Sequence, residues 1–416
     1  MAKIADPKLA AQGRLKIEWA ESRMPVLMEL KKRYETSKPL AGLTIAGCLH
    51  VTKETAVLIR ALKAAGANPV WSGCNPLSTQ DDVAAALAEE GIDVYAWRGI
   101  SKEDYYWCIE QCIKASPHIT IDDGADLVFV AHQKYPEVLK GIIGGCEETT
   151  TGINRIRAMA AAGQLKYPIM AVSDAETKWD FDNVYGTGES TLDGIKRATN
   201  VMLAGKTLVV AGYGHCGKGV AMRAKGMGCD IIVTEIDSIN ALRARMEGFK
   251  VMPMSEAAKL GDIFVTTTGC NNIITEKHFE LMKNGAILAN SGHFNLEIDA
   301  AALEKIAKSK KEIRDNNVEY ILPNGNKIYL LAEGRLVNLA AAEGHPSEVM
   351  DMSFANQFMA VLHLAKNKGQ IKPDVHNLPK AQDQEIASIK LATMGITIDS
   401  LTDEQKKYLA GFEEGT

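Results

Sequence analysis

The sequence predicts an α/β protein of two Rossmann-like, doubly wound parallel-sheet domains followed by a short helical C-terminal tail. Two observations predict this class: short β-rich runs alternate with helical stretches along the first part of the chain, and the alternation starts again near residue 206. Such alternation implies β–α–β crossovers, which place consecutive strands in parallel. With 416 residues, the chain is long enough for two domains with separate cores.

The first series of predicted strands occupies about the first 185 residues. The β-rich runs are residues 43–49, 68–73, 93–99, 118–123 and 168–174. The stretches between them, such as KETAVLIRALKAAG and TQDDVAAALAEEG, carry apolar residues at helical spacing. We therefore expect one parallel sheet with crossover helices in this part of the chain.

A second series has its own strands and helices and predicts a second α/β domain. Its β-rich runs are residues 206–214, 229–236, 249–254, 262–269 and 286–293. Residues 394–416 predict a short helical tail after both series.

Composition and charge exclude several classes of partner. The net charge of −5 provides no general attraction to nucleic acid or anionic membranes, and no run of about 18 apolar residues predicts a membrane span. The N-terminal stretch MAKIADPKLAAQGRLKIEWA lacks the apolar segment of a signal peptide. The eight cysteines show no CxxC pair or zinc-finger spacing, so we expect reduced cysteines, a cytoplasmic location and no metal site.

A glycine-rich turn after the strand at 206–214 predicts a dinucleotide site. Gly212, Gly214 and Gly217 form the pattern G-x-G-x-x-G between a buried-type strand and a helix. The glycines permit a tight turn, close approach of the backbone to a pyrophosphate, and close packing of the helix, whose N-terminus faces the phosphates. Glu235 follows Gly212 by 235 − 212 = 23 residues, at the end of the next strand. An acid there accepts hydrogen bonds from ribose hydroxyls and repels a 2′-phosphate, which favours NAD over NADP.

Polar residues also recur after the predicted strands of the first series, where ligands bind in open parallel sheets. The candidates are His50, Cys74 and Asn75, the run Asp122-Asp123-Gly124, the run 147–152, and Asp174. Each has a structural alternative when it is taken alone. The acids and threonines can cap helices, and His50 can be a hydrogen-bonded loop residue.

Lys178 and Asp182, four residues apart, are a further pair with two possible interpretations. They can be an ordinary surface ion pair or part of a site.

Long ordered motifs across nearly the whole chain resemble one family, the adenosylhomocysteinases (S-adenosylhomocysteine hydrolases). The motifs include AGCLHVTKETAVL, CNPLSTQDD, IDDGADL, GGCEETTTG, KWDFDNVYGTGES, VVAGYGHCGKG, NSGHF and LVNLAAAEGHPSEVM. The resemblance implies a substrate-binding domain of residues 1–185 and 346–393, an NAD-binding domain of residues 186–345, and a tail of residues 394–416. It further implies a homotetramer with one tightly bound NAD per subunit.

The resemblance also implies how a hydrolase uses NAD. Oxidation of the ribose 3′-hydroxyl to a ketone makes the neighbouring C4′ proton removable, so that homocysteine leaves by elimination. Water then adds to the enone, and reduction of the ketone completes a net hydrolysis to adenosine and homocysteine.

By similarity, individual positions take on roles. Lys178 is the expected base at the 3′-hydroxyl, with its pKa depressed by a nearby nicotinamide cation, and Asp123 is expected to remove the C4′ proton. His50 is the expected acid or base at the 5′ end, and the division of these roles is a hypothesis. The other expected contacts are Glu148, Asp182 and His293 at the ribose and reacting centre; Thr52, Glu54 and His345 at the purine; and Thr149, Thr150, Thr151, Asn183, Gly212, Gly214, His215, Cys216, Gly217, Glu235, Asn240, Asn290, Gly292, His293 and Asn338 at NAD.

Two departures from the family pattern bear on function. Many members end in Lys-Pro-Asp-His-Tyr-Arg-Tyr, which reaches the NAD of a neighbouring subunit, whereas this chain ends in GFEEGT. The second is Glu343, where an uncharged residue is familiar beside the purine pocket. A carboxylate there accepts from an adenine amino group or from the N1–H of hypoxanthine, so S-inosylhomocysteine is an alternative substrate, with Thr52 and Glu54 favouring adenine.

Two other function classes compete with this interpretation. One is a two-domain NAD-dependent dehydrogenase that releases NADH stoichiometrically. The other is a non-catalytic NAD-sensing protein, which has no need of Lys178, Asp182 and Asp123.

Overall fold

The computed structural model describes residues 2–412, which form two eight-stranded sheets. The predicted class, two doubly wound sheets flanked by helices, is confirmed. Residues 413–416 of the predicted tail lie outside the described residues.

The strands of the first sheet are β1 (Lys3–Ile4), β2 (Thr44–Cys48), β3 (Asn68–Ser72), β4 (Asp93–Ala96), β5 (Ile119–Asp122), β6 (Gly144–Glu147), β7 (Ile169–Ala171) and β16 (Val375–Asn377). All of them are parallel, in the order β1-β4-β3-β2-β5-β6-β7-β16. The strand order reverses between β2 and β5, since β3 and β4 lie on one side and β6 and β7 on the other. A crevice at such a reversal, beyond the carboxyl ends of the strands, is where open sheets bind ligands.

The helices associated with the first sheet cover both of its faces, above two separate apolar cores. They are α1 (Ala10–Arg23), α2 (Pro25–Tyr34), α3 (Lys53–Ala64), α4 (Asp81–Glu89), α5 (Lys102–Lys114), α6 (Asp126–Lys134), α7 (Thr150–Ala161), α8 (Glu176–Lys178), α16 (Ser347–Lys366) and α17 (Lys380–Thr393). The chain returns to this sheet through α16, which packs against α2, α3 and β6. Its Asp351 is fully buried and accepts from the backbone N–H groups of Val26 and Leu27, which lie in the first turn of α2.

The strands of the second sheet are β8 (Thr207–Ala211), β9 (Asp230–Thr234), β10 (Lys250–Val251), β11 (Ile263–Thr266), β12 (Ala286–Asn290), β13 (Ser309–Arg314), β14 (Asn317–Ile321) and β15 (Lys327–Leu331). Their order in the sheet is β10-β9-β8-β11-β12-β15-β14-β13. Its helices are α9 (Thr187–Thr199), α10 (His215–Gly226), α11 (Ser238–Met246), α12 (Met254–Leu260), α13 (Glu276–Phe279), α14 (Ala300–Ile306) and α15 (Val337–Ala340). The strand order reverses between β8 and β11, so the glycine-rich turn after β8 lies at the second crevice.

The structure adds an antiparallel edge that the sequence analysis did not predict. β13 and β14 pair antiparallel, as do β14 and β15, and β15 then pairs parallel with β12. Asn324-Gly325, a dipeptide typical of tight hairpin turns, lies between β14 and β15, and Gly325 has a φ of +90°. This dipeptide is the signal that could have predicted the hairpin.

The tail is helical, as predicted: α18 (Asp403–Ala410) begins at a Thr402 capping box. All of its residues are exposed. No helix in the described part of the chain is long and apolar enough to cross a membrane.

Candidate active site between the two sheets

A cavity of about 330 Å³ lies where the carboxyl edges of the two sheets face each other. One wall follows the strand ends of the first sheet, and the other follows the loops after β8, β11 and β12. The predicted residues that line it are His50, Thr52, Glu54, Asp123, Glu148, Thr149, Thr150, Thr151, Lys178, Asp182, Asn183, Gly214, His215, Cys216, Gly292, His293, Asn338 and His345. The fold thus brings most of the predicted site residues to one place.

The glycine turn has the shape that a dinucleotide requires. Gly212 has a φ of +92°, and a Cβ at Gly217 would lie 2.0 Å from the carbonyl oxygen of Gly212. A Cβ at Gly214 would meet nothing within 4 Å, so that position is open for a ligand. Helix α10 begins directly afterwards at His215 with no side-chain cap, which leaves its first N–H groups free for phosphate oxygens.

Glu235 shapes this turn from outside the cavity. Its Oε2 accepts from the N–H of Tyr213 at 2.6 Å, and its Oε1 accepts from the N–H groups of Ile236 and Asp237. Asn240, the other predicted contact on this side, accepts from Arg243 through its Oδ1 and also lies outside the cavity.

Asp123 lies between two histidines, one from each sheet. His50 Nε2 is 3.4 Å from Asp123 Oδ2, and His293 Nδ1 is 3.5 Å from Asp123 Oδ1. Nδ1 of His50 contacts the hydroxyl of Ser78 at 2.6 Å. Burial lowers the pKa of His50 to about 4 despite the nearby Asp123 carboxylate, so the ring is neutral at pH 7.

Two further carboxylates point inward and hold the turn that carries Asp123. Glu147 accepts from the N–H groups of Gly124 and Ala125, and Asp122 accepts from those of Asp123 and Val128. Burial raises the pKa of both Glu147 and Asp122.

Gly124 allows one of the histidines to reach Asp123. It has a φ of +103°, and a Cβ there would lie 2.3 Å from His293 Nε2. A side chain at this position would therefore push away the histidine that the second sheet contributes.

Lys178 is the centre of a second buried cluster. Its Nζ lies 3.2 Å from Asp182 Oδ1, 2.8 Å from Asn183 Oδ1 and 3.7 Å from Glu148 Oε1. The segment Trp179–Gly186 is a π-helix, and its wide turn brings Asp182 and Asn183, four and five residues on, to the same ammonium.

The charges of this cluster are strongly coupled. Burial alone would lower the pKa of Lys178, but Asp182 and Glu148 raise it above its usual value. Burial opposes ionisation of Asp182, yet Lys178 and His345 hold its pKa well below the usual range. Without a ligand the lysine is therefore protonated, and the expected depression of its pKa is not produced by its protein neighbours.

Glu148 depends on a helix that is about 200 residues away in sequence. Ser353 and Gln357 of α16 both donate to its carboxylate. Burial is the largest influence and raises the pKa of Glu148 to about 7, although Lys178 opposes the shift.

Two carboxylates that line the cavity, Glu54 and Glu343, pair with a lysine behind its wall, and this cluster is the expected purine end. Lys53 Nζ lies 3.2 Å from Glu54 Oε1 and 3.1 Å from Glu343 Oε2, and Ser347 donates to Glu54 at 2.6 Å. Burial opposes ionisation of Glu343, but Lys53 and Arg197 lower its pKa, so it is a carboxylate at neutral pH. This end presents hydrogen-bond acceptors to a ligand.

His345, expected at the purine, lines the cavity beside the Lys178 cluster. Its Nε2 is 3.4 Å from Asp182 Oδ1 and its Nδ1 is 3.0 Å from the hydroxyl of Ser190. Asn338 donates to the same hydroxyl at 3.1 Å.

Asn290, a predicted cofactor contact, does not line the cavity. Its Oδ1 accepts from Thr266 and from the N–H of Gly292, and its Nδ2 donates to three backbone carbonyls. These bonds position the loop of Gly292, which does line the cavity.

Sequence reasoning missed Glu297 and the loop that it organises. Glu297 accepts from the backbone N–H and the hydroxyl of Thr268 and from the N–H of Gly269, two residues that line the cavity. A Cβ at Gly292 would lie 1.7 Å from Glu297 Oε1, so the carboxylate fits against a second cavity loop. Nothing in the local sequence marks this glutamate. Thr187, Thr267 and Ser291 also line the cavity without having been predicted.

Comparison with known proteins identifies the chain along its whole length. The family profile described as S-adenosyl-L-homocysteine hydrolase matches residues 1–134, and the profile of its NAD binding domain matches residues 183–344. The chain is 56% identical over 416 residues to the S-inosyl-L-homocysteine hydrolase of Methanocaldococcus jannaschii, covering 100% of both chains. It is 57% identical over 415 residues to the adenosylhomocysteinase of Saccharolobus solfataricus, covering 100% of this chain and 99% of that one. The adenosylhomocysteinase of Aquifex aeolicus is 57% identical over 414 residues, with 99% of each chain covered.

Proposed function

The chain belongs to the S-adenosyl-L-homocysteine hydrolase family, and from this premise we propose that its cavity reversibly hydrolyses S-adenosyl-L-homocysteine to adenosine and L-homocysteine. The protein is an NAD-dependent enzyme of this family. One observation carries the proposal: a dinucleotide turn, a buried lysine cluster and a buried Asp–His cluster all line a single cavity. A simple dinucleotide sensor has no need of the last two.

The residues present fit NAD. The turn at Gly212, Gly214 and Gly217 would hold the pyrophosphate against the start of α10, and Thr149–Thr151 and Asn338 would lie beside the rest of the cofactor. Bound NAD supplies reversible oxidation of the ribose 3′-hydroxyl to a ketone, which acidifies the neighbouring C4′–H.

Lys178 and its neighbours handle the ribose hydroxyls. Asp182 and Glu148 accept hydrogen bonds from the hydroxyls, and Lys178 takes the 3′-hydroxyl proton after passing its own proton on. Glu148 is the better proton acceptor of the two carboxylates beside the ammonium, because its pKa is raised and that of Asp182 is lowered, and the transfer requires its Oε1 to approach from 3.7 Å to hydrogen-bond distance. Asp182, whose pKa is low, stays ionised and orients the lysine.

Asp123 and His50 carry out the elimination. Asp123 removes the C4′ proton and passes it to Nε2 of His50, 3.4 Å away, and the resulting imidazolium protonates the sulfur that leaves C5′. Water then adds at C5′ and gives a proton to His50, which returns it through Asp123 to C4′. His50 suits both directions because a neutral imidazole can accept a proton from Asp123 or from water.

S-Inosyl-L-homocysteine is the second candidate substrate. Glu343 supports it, because this cavity-lining carboxylate can accept from N1–H of a 6-oxo purine. Relatives of nearly equal identity carry either name. Thr52 and Glu54, both lining the cavity, favour the 6-amino group of adenine.

The proposal also covers the subunit assembly and the domain boundaries of the protein. We infer a cytoplasmic homotetramer whose substrate-binding domain comprises residues 1–185 and 346–393 and whose NAD-binding domain comprises residues 186–345, with residues 394–416 as a tail. Large apolar side chains support subunit contacts: Met246 on α11 is 76% exposed and Phe412 in the tail is 95% exposed.

The test follows thioether formation from purified protein with homocysteine and either adenosine or inosine. We expect S-adenosylhomocysteine to form without net accumulation of NADH, and adenosine to be preferred. NADH produced in proportion to product would instead show an ordinary dehydrogenase. A preference for inosine would identify S-inosyl-L-homocysteine as the substrate, and the proposed reaction steps would stay the same.

A further inference from the structure

We propose that His50, Cys74 and Asp123 form a binding site for a soft divalent cation such as Zn²⁺, and that the bound cation inhibits the enzyme. The inhibition rests on the proposed function, because it requires Asp123 and His50 to move protons. The binding itself does not depend on that function.

The three side chains offer a nitrogen, a sulfur and an oxygen within 4.8 Å of one another. His50 Nε2 lies 3.4 Å and Cys74 Sγ lies 3.7 Å from the same oxygen, Asp123 Oδ2. A tetrahedral zinc ion with bonds of 2.0–2.3 Å separates its ligands by roughly 3.3–3.8 Å. The distances from Asp123 Oδ2 to His50 Nε2 and to Cys74 Sγ already match this spacing. The distance from His50 Nε2 to Cys74 Sγ is at most 4.8 Å, so it needs to shorten by about 1 Å at most.

Neighbouring groups hold two of the ligands in place. Ser78 lies 2.6 Å from His50 Nδ1 and can turn its own proton to the carbonyl of Asn75, at 3.3 Å, while accepting from Nδ1–H. That arrangement leaves Nε2 free as a ligand, and hydrogen-bonded support of this kind is usual for metal-binding histidines. The carbonyl of Cys74 accepts from the hydroxyl of Tyr105 at 3.1 Å, which fixes the turn that carries the thiol.

The three ligands His50, Cys74 and Asp123 suit a soft cation and leave one of its coordination positions open. Thiolate and imidazole favour Zn²⁺ over Mg²⁺ or Ca²⁺, and three protein ligands leave a fourth position for water or a substrate sulfur. Binding displaces the thiol proton, which now points towards Asp123. The cation then occupies the Nε2 lone pair of His50 and binds Oδ2 of Asp123, which blocks proton exchange at His50 and lowers the basicity of the remaining carboxylate oxygen.

Co²⁺ gives a direct probe of the site in the NAD-loaded protein. We expect one equivalent to produce a thiolate-to-cobalt charge-transfer band that Zn²⁺ abolishes by displacement. Cys74→Ser should lose the band and weaken Zn²⁺ binding at least tenfold, and Ser78→Ala should weaken it about 10–100-fold. Cys270→Ser is the matched control, since Cys270 is the exposed cysteine of the described chain, and it should leave the band unchanged.

Absence of the band in the unsubstituted protein, or its persistence in Cys74→Ser, would overturn the site. Thioether formation should fall as Zn²⁺ saturates the site and recover with a chelator, and full activity at saturation would overturn the inhibition. If the protein binds the metal but forms no thioether under any condition, the proposed function is refuted. The proposed metal site is then still supported.

Discussion

The two sheet edges that meet at the cavity are built by different means. The edge of the first sheet carries four buried carboxylates within residues 122–148, each supported by N–H groups or by side chains from other segments. The edge of the second sheet carries a glycine turn, whose Tyr213 N–H donates to the half-buried Glu235, and one buried carboxylate, Glu297, which accepts from the loop after β11. The first edge therefore depends mainly on buried charge, and the second mainly on backbone geometry. This division suits an edge that moves protons and an edge that holds a cofactor.

Gly217→Val tests the backbone-dependent edge and should have the largest effect. Its Cβ would lie 2.0 Å from the Gly212 carbonyl, so the turn must open, and we expect loss of NAD and of all measurable activity. NAD released on denaturation, counted per subunit, measures the effect. Gly226→Ala in the same helix is the control, because a Cβ there meets nothing within 4 Å. Full NAD content in a folded Gly217→Val protein would contradict the claim that the second edge depends on backbone geometry to bind the cofactor.

Lys178→Met tests the charge-dependent edge and should lower kcat by about 10²–10⁴-fold, the usual range for loss of an acid–base group. NAD content should stay near one per subunit, since the turn at Gly212 is untouched. The absorbance of NADH after substrate addition should not rise. A normal rise would mean that oxidation proceeds without this lysine.

Ser353→Ala sharpens the comparison, because it removes a support of Glu148 without touching the substrate. A hydrogen bond to a charged group contributes about 1.5–3 kcal/mol, so we expect kcat/KM to fall about 10–100-fold. The pH profile should also shift as the pKa of Glu148 rises further, whereas a merely structural effect would leave its midpoint in place. Ser388→Ala, on the exposed side of α17, is the control.

Lys53→Met should have the smallest effect and reports on the purine end. The lysine pairs with Glu54 and Glu343 but does not line the cavity, so we expect KM for adenosine to rise about 3–10-fold, the effect of roughly 1 kcal/mol, with kcat within twofold. Lys63→Met on the same helix is the control. A large loss of kcat would show that this end is coupled to the Lys178 cluster.

The difference between the two edges also determines which parts of the site can be predicted from the sequence. The glycine turn was predictable because a local pattern encodes its backbone, and the first sheet's candidates were placed by the rule that ligands bind at strand ends. β6 was missed because GGCE has low strand propensity. Its glycines are explained only by packing, since a Cβ at Gly145 would lie 2.3 Å from the hydroxyl of Thr120.

The support of the charged edge was not predictable from local sequence. Glu148 acquires its partners from α16, and Glu297 acquires its role from loops that approach it only in the folded chain. The raised pKa of Lys178 likewise follows from its neighbours in space, which a lysine in a sequence does not reveal. The resemblance assigned roles to these positions, but the couplings among them are properties of the packed structure.

Exchange of the C4′ proton into deuterated solvent tests the central claim most directly. In Asp123→Asn, bound substrate should still reduce the NAD of the protein, seen as NADH absorbance, because Lys178 and Glu148 remain. Deuterium should not enter C4′, because the group that removes this proton is gone. Intact C4′ exchange in this variant, with oxidation alone abolished, would contradict the account.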